Sequence, residues 1–300
     1  MPEFQTPNPI AATLEINAGD IRVVASERTD TVVEVQPGNP SDPADVNAAE
    51  EAQIDFADGR LVVKTAKDWK QHLPFIGPFG GGPAVEVTLA LPSGSRLEGN
   101  TGLGMLRCVG RMGDCRLRTT AGNVLVDEAG AADLHTGFGD IVADLVTGEL
   151  KAATGSGEIR IGVVRGAARV RNANGAIKLG TIDGDLHAKT ANGSIAVDAA
   201  RSSVNAKTAN GSIRIGAVER DAVEIDTGAG EISVGIREGT AAWLDLKAPG
   251  GSVRNGLDSV GGPGPADTKV EVRAHTSFGD IVIHRAAGAN PPADTSETIE

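Results

Sequence analysis

Apolar and polar residues alternate with a period of two along most of this chain. In Leu186-His-Ala-Lys189 and in Ile213-Arg-Ile-Gly216, apolar side chains are separated by polar or small residues. This alternation is typical of a β-strand with one apolar face, because successive side chains of a strand point to opposite sides. No segment keeps the 3.6-residue period of an amphipathic helix over a useful length. The pattern therefore predicts many short strands.

The alternation is organised in repeated units. The hexapeptide Thr-Ala-Asn-Gly-Ser-Ile occurs at residues 190–195 and again at residues 208–213, with related hexapeptides on both sides. The glycines at the fourth position recur every 17 to 19 residues. They are Gly104, Gly122, Gly139, Gly157, Gly175, Gly193, Gly211 and Gly230. Such regular spacing indicates a repeat architecture built from one supersecondary unit.

Apolar side chains keep fixed positions in each unit, two and four residues after the glycine and five and seven before it. Each unit thus predicts two short strands, each with one apolar face. One unit cannot bury these faces alone, whereas stacking successive units buries them. The predicted fold is all-β, a β-solenoid of the single-stranded β-helix type with 18-residue coils and irregular β caps.

The repeat also predicts how the chain is organised. Residues 1–96 are expected to form an N-terminal β region that caps the solenoid and contains an acidic loop from Asp45 to Glu51. The regular coils should span residues 97–238, and residues 239–287 should form irregular C-terminal coils. Residues 288–300 are predicted to be a disordered tail.

Two polar columns follow from the stacking. Threonines three residues before the glycines should form one ladder, and Asn174, Asn192 and Asn210 should form a shorter one. Side chains stacked in this way can share hydrogen bonds between coils and hold the register. We interpret both ladders as structural.

Three sequence features together resemble a known family. They are Leu14-Glu-Ile-Asn-Ala-Gly-Asp-Ile-Arg-Val23, Val87-Thr-Leu-Ala-Leu-Pro-Ser-Gly94 and the repeated Gly-Asp/Glu/Ser-Ile units. They resemble the bacterial putative-adhesin, β-strand-repeat family of unknown function over most of residues 10–285. The resemblance implies a β-solenoid and a role in adhesion, and it supplies no functional residues.

Composition and charge narrow the class of protein. The chain has 28 Lys and Arg against 40 Asp and Glu, a net charge of −12, which argues against general nucleic-acid binding. The chain contains no run of 18 apolar residues, so no transmembrane helix is predicted. The start, Met1-Pro-Glu-Phe-Gln-Thr-Pro7, lacks the regions of a signal peptide, and the two cysteines, Cys108 and Cys115, fit a reducing compartment. The expected location is therefore the cytoplasm.

No set of residues predicts catalysis. The five histidines lack zinc-ligand spacing, the acidic residues that follow the repeat glycines are interrupted by glycines, and no nucleophile has a matched base. We predict no metal site and no cofactor. The predicted function is a non-enzymatic adhesin-like β-repeat scaffold or binding module. The alternative is a carbohydrate-active enzyme of the β-helix type, which would gather two or more carboxylates with Arg or Lys in one pocket.

Two surface features are candidate binding sites. Outward positions of one strand per coil carry a basic stripe, which could present cations to a polyanion or an acidic protein. The stripe consists of Arg116, Arg118, Lys151, Arg169, Arg171, Lys189 and Lys207. The second feature is an aromatic loop between Lys67 and Gly82 that contains Trp69, Phe75 and Phe79. Rings concentrated in such a loop suit a lid over the solenoid end, or contact with a partner or a membrane surface. For both features the simpler interpretation is structural, a solvated strand face and a lid.

Overall fold

A computed structural model describes residues 1–65, 82–257 and 268–286. These residues contain twenty-seven strands and one short helix. The helix α1 is Pro43–Glu50. The strands, in chain order, are Glu3–Gln5 (β1), Ala11–Ala18 (β2), Ile21–Ser26 (β3), Asp30–Pro37 (β4), Gln53–Ala57 (β5), Arg60–Lys64 (β6), Val85–Pro92 (β7), Arg96–Leu103 (β8), Leu106–Arg111 (β9), Cys115–Ala121 (β10), Val124–Ala129 (β11), Ala132–Phe138 (β12), Ile141–Val146 (β13), Leu150–Ser156 (β14), Ile159–Val164 (β15), Ala168–Asn174 (β16), Ile177–Ile182 (β17), Leu186–Asn192 (β18), Ile195–Ala200 (β19), Val204–Asn210 (β20), Ile213–Val218 (β21), Asp221–Ala229 (β22), Ile232–Ile236 (β23), Thr240–Lys247 (β24), Val253–Asn255 (β25), Thr268–Phe278 (β26) and Ile281–Arg285 (β27).

The strands form two sheets whose apolar faces meet in one core. Sheet I has the order β1-β4-β7-β3-β9-β11-β13-β15-β17-β19-β21-β23-β27-β25, and sheet II has the order β24-β26-β22-β20-β18-β16-β14-β12-β10-β8-β2-β6-β5. Each coil gives one strand to each sheet, and neighbouring coils pair in parallel and in register. Ile195, for example, pairs with Ile213, and both side chains are fully buried. The prediction of an all-β solenoid is confirmed.

A column of glycines allows the coils to stack closely at the turn from sheet II to sheet I. Gly193 has φ +153°, and a Cβ there would lie 2.1 Å from the carbonyl oxygen of Gly175 in the preceding coil. A side chain would therefore meet both an unfavourable backbone conformation and a backbone clash. This explains why glycine recurs at the fourth position of every hexapeptide.

Buried threonines complete this turn. The hydroxyl of Thr208 donates to the carbonyl oxygen of Gly193 at 3.1 Å, and that of Thr227 donates to Gly211 at 2.9 Å. The predicted threonine ladder is thus a column in which each hydroxyl bonds a glycine carbonyl of the preceding coil. The buried hydroxyls are satisfied by these bonds, which also fix the register between coils.

Both ends of the rod depart from the order of the chain. Near the N-terminal end, the coil of β2 and β3 lies between the coil of β6 and β7 and the coil of β8 and β9. Near the C-terminal end, the coil of β26 and β27 lies between the coil of β22 and β23 and the coil of β24 and β25. The predicted segment boundaries at residues 96, 238 and 287 stay predictions, and the predicted disordered tail, residues 288–300, lies outside the described residues.

The helix α1 corrects the expectation of an acidic loop from Asp45 to Glu51. Asp42 caps the helix by accepting from the backbone N–H of Ala44 at 2.9 Å, and Pro43 stands in the first turn. Both residues favour a helix start. The carboxylate of the buried Asp45 accepts from the backbone N–H groups of Asn39 and Ala84, which fastens α1 to the end of the rod.

Candidate functional site

The seven residues of the basic stripe lie on the outer face of sheet II, on β10, β14, β16, β18 and β20. The alternation of each strand produces this placement, because the residues between the cations face the core. Register then aligns the cations of successive coils. Arg171 pairs with Lys189, and Lys189 pairs with Lys207.

Part of the stripe lines a groove of about 330 Å³ on this face. We call it the cationic groove, and its polar lining consists of Arg169, Arg171, His187, Lys189, Asn205 and Lys207. The groove has a small floor, because Ala188 occupies the inward position between His187 and Lys189. Three consecutive coils therefore present four Arg or Lys side chains and one histidine to the same space.

The flanks of the cationic groove are partly neutralised. Lys207 lies 2.8 Å from Glu224, and the hydrogen bond between them raises the pKa of Lys207 and lowers the pKa of Glu224. Arg169 lies 3.9 Å from Glu149. These partly exposed pairs contribute about 0–1 kcal/mol each.

The centre of the groove differs from its flanks. Within the part of the chain that the structure describes, Arg171 and Lys189 have no carboxylate within 4.0 Å. Both are exposed, and they occupy paired positions on neighbouring strands. Like charges placed opposite each other across a strand pair repel. The centre of the groove is therefore the part of the stripe that is best prepared to meet an anion.

The other half of the stripe lies in a different environment. Arg116 and Arg118 both contact Asp133, at 3.7 and 3.4 Å, and Lys151 lies 3.3 Å from Glu149. All of these groups except Arg118 border a second depression of about 440 Å³, which we call the mixed-charge groove. Its charged lining consists of Arg96, Glu98, Asp114, Arg116, Asp133, Glu149 and Lys151. Acids from neighbouring coils thus divide the stripe into a part with mixed charge and a part that is mainly cationic.

The asparagine ladder lies beside the cationic groove. The Nδ2 of Asn192 donates to the Oδ1 of Asn174 at 3.1 Å, and the Nδ2 of Asn210 donates to the Oδ1 of Asn192 at 3.0 Å. All three side chains are exposed. From the sequence alone, this ladder is interpreted only as structural. Its exposure has one signal in the sequence, the position directly before a turn glycine, where the strand's alternation of buried and exposed residues has ended.

The three rings of the aromatic loop lie outside the described residues, so the interpretations given for Trp69, Phe75 and Phe79 stay predictions. In the described ranges, no three His, Cys, Asp or Glu side chains form a group that could hold a metal ion. No helix in these ranges is long and apolar enough to cross a membrane.

Two mainly parallel sheets wound from stacked 18-residue coils define a β-repeat protein with a charged outer face. The sequence model of the Toastrack DUF4097 family matches residues 11–284, and the chain belongs to that family. The predicted resemblance to an adhesin-like repeat family of unknown function is confirmed. No curated protein sequence matches the chain.

Solved structures resemble this chain at low identity. A putative cell adhesion protein from Clostridium sporogenes is 12% identical, covers 95% of this chain and 99% of its own, and gives a TM-score of 0.23. A putative adhesin and a putative lipid binding protein, both from Parabacteroides distasonis, are 14% and 16% identical. Each covers 94% of this chain and 95% of its own, with a TM-score of 0.40. The assignment to the family rests on the sequence model, because TM-scores of this size are too low to support it.

Proposed function

We propose that this protein is a non-enzymatic β-repeat scaffold that binds an acidic polymer or an acidic protein surface in the cationic groove. The observation that carries the proposal is the in-register column of Arg171, Lys189 and Lys207, in which two cations have no carboxylate partner among the described residues. The cytoplasmic location expected above stays a prediction.

The energetics of the groove support binding. Stacked like charges destabilise a sheet, and the chain has an excess of acids that could have neutralised them. A local conflict with folding of this kind is typical of functional surfaces. Cations with a fixed spacing of about 4.8 Å also suit an extended partner with repeated anionic groups.

A carbohydrate-active enzyme of the β-helix type is a second candidate, because the mixed-charge groove gathers four carboxylates with Arg and Lys. Glu98, Asp133 and Glu149 each lie within 4.0 Å of an arginine or lysine. Turnover of a polysaccharide by the wild type, abolished by Asp133→Asn, would establish this candidate over the scaffold.

The proposed binding is tested with a double variant, Arg171→Ala/Lys189→Ala. The fold tolerates alanine in this column, since Ala153 pairs with Arg171 in the preceding coil. Arg116→Ala/Lys151→Ala is the matched control, because it removes the same charge from the mixed-charge groove. The probes are fluorescently labelled polygalacturonate and polyglutamate, and the measurement is fluorescence anisotropy at low salt.

The groove variant should bind at least about tenfold more weakly than the wild type to any probe that the wild type binds, because two charge-assisted contacts are lost. The control variant should bind as the wild type does. Binding should also weaken as salt rises, because exposed charges are screened beyond about 8 Å at physiological ionic strength. Equal losses in the two variants, or no loss in the groove variant, would contradict the proposal.

A further inference from the structure

The cationic groove is one of three parallel columns on the same coils. Next to the column of Arg171, Lys189 and Lys207, the same strands carry exposed alanines two residues further on. They are Ala173, Ala191 and Ala209. The asparagine ladder follows directly at the turn, so each of three consecutive coils presents a cation, a methyl group and a carboxamide in the same order.

The amides of the asparagine ladder keep hydrogen-bonding groups that the ladder itself does not use. A carboxamide has two N–H donors and an oxygen with two lone pairs. Asn192 uses one donor towards Asn174 and one lone pair towards Asn210. Counting the hydrogen bonds among the described residues, one N–H and one lone pair of this exposed amide therefore remain for a ligand. Asn210 donates one N–H to Asn192, and its oxygen accepts no hydrogen bond within the described residues.

This pairing of donor and acceptor matches a hydroxyl group, which also donates and accepts. The alanine column leaves space for a ligand to lie close to the sheet between the cations and the amides. Along the rod, both functional columns repeat at about 4.8 Å, the spacing of neighbouring strands. A ligand that fills them needs anionic groups on one side, hydroxyls on the other, and an extended shape.

We propose that the surface binds a linear acidic glycan, which lies along the rod axis. Its carboxylate or sulfate groups contact Arg171, Lys189 and Lys207, and its hydroxyls contact Asn174, Asn192 and Asn210. This inference rests on the proposed function, since it names the class of acidic partner that the cationic groove binds. An acidic protein surface would use the cations but has no hydroxyls for the amide ladder unless it is rich in Ser and Thr.

The test compares two carboxylate polymers that differ in hydroxyls, polygalacturonate and polyglutamate. The key variant is Asn192→Ala/Asn210→Ala, and Ser156→Ala is the matched control in the same column outside the three coils. Alanine is compatible with this column, because Ala121 and Ala229 occupy it in other coils. Circular dichroism should show the same β signal in both variants.

The wild type should bind polygalacturonate more tightly than polyglutamate. The asparagine variant should lose about tenfold in affinity for polygalacturonate, the equivalent of two neutral hydrogen bonds, and should bind polyglutamate unchanged. Ser156→Ala should bind both polymers as the wild type does.

Two results would overturn the glycan assignment and leave the cationic groove intact. One is an asparagine variant that binds polygalacturonate as tightly as the wild type. The other is a wild type that prefers polyglutamate, which would identify an acidic protein as the partner. If Arg171→Ala/Lys189→Ala changes the binding of neither polymer, the proposed function itself fails.

Discussion

The two ends of the rod differ in how their last coils are covered. At each end the second coil is out of chain order: β2 and β3 lie inside β6 and β7, and β26 and β27 lie inside β24 and β25. The N-terminal end continues into antiparallel strands, helix α1 and a stacked pair of rings, Phe4 and Phe56, with centroids 4.8 Å apart. The C-terminal end, within the described residues, finishes with β24 and the three-residue β25.

This difference is visible in the burial of equivalent inward residues. Leu61, near the N-terminal end, is fully buried, whereas Leu244 and Leu246 of β24 are only partly buried. A solenoid coil buries its apolar face only when something lies on both sides of it. Within the described residues, the comparison indicates that the N-terminal end is the closed one and that the last C-terminal coil pairs with one neighbour.

The largest expected effect on stability comes from a cavity at the closed N-terminal end, and it tests this contrast directly. Leu61→Ala should lower the free energy of unfolding by about 3 kcal/mol, because it empties a fully enclosed site. Leu246→Ala should cost about 1 kcal/mol, because its side chain is partly solvated already. Urea denaturation followed by circular dichroism measures both. A loss from Leu246→Ala as large as that from Leu61→Ala would show that the C-terminal end is equally closed.

A smaller effect concerns the ring pair that covers the N-terminal end. A double-mutant cycle with Phe4→Ala and Phe56→Ala should give a coupling energy of about 1 kcal/mol, as expected for a stacked aromatic pair. Phe278→Ala is the control, because Phe278 is 70% exposed and the loss of its ring should change stability by less than about 0.5 kcal/mol. Additive losses in the cycle would mean that the stack does not help to close the end.

The smallest effect lies in the last C-terminal coil. Asp280 accepts from the backbone N–H of Ser252 at 2.9 Å and from Arg254 at 2.8 Å. These hydrogen bonds, the backbone one first, lower the pKa of Asp280 to about 2. Because the folded pKa is depressed, this stabilisation is present above the ordinary aspartate pKa of 3.8 and is lost as the pH falls through about 2.

Asp280→Asn should therefore loosen β25 at neutral pH and have no effect below about pH 2. Hydrogen exchange at Ser252 should become a fewfold faster at neutral pH, which tests local opening of the last coil. Asp245→Asn, on the neighbouring β24, should leave this exchange unchanged. Unchanged exchange in Asp280→Asn would show that the charge of Asp280 does not help to hold β25.

In the candidate site, the sequence predicts the direction of the side chains, and the packing of coils decides which charges are neutralised. The outward direction of Arg171 and Lys189 follows from strand alternation and is visible in the sequence. Their lack of carboxylate partners is not, because the acids that neutralise Arg118 and Lys207 come from neighbouring coils. Asp133 and Glu224 lie 15 and 17 residues away from those cations in the chain. Only the register and the side-chain directions of stacked coils bring such groups within 4 Å.

The sequence by itself determined the strands, the 18-residue coil, the inward columns and the turn glycines, because each depends on local periodicity and on a repeated backbone conformation. The tertiary structure alone decided the order of coils at the two ends, since β2 and β26 find their partners across long stretches of chain. It also decided where α1 lies, because Asp45 bonds a backbone N–H 39 residues away, whereas the start of α1 has a local signal in Asp42 and Pro43. These features depend on contacts between distant segments, which a local pattern does not encode.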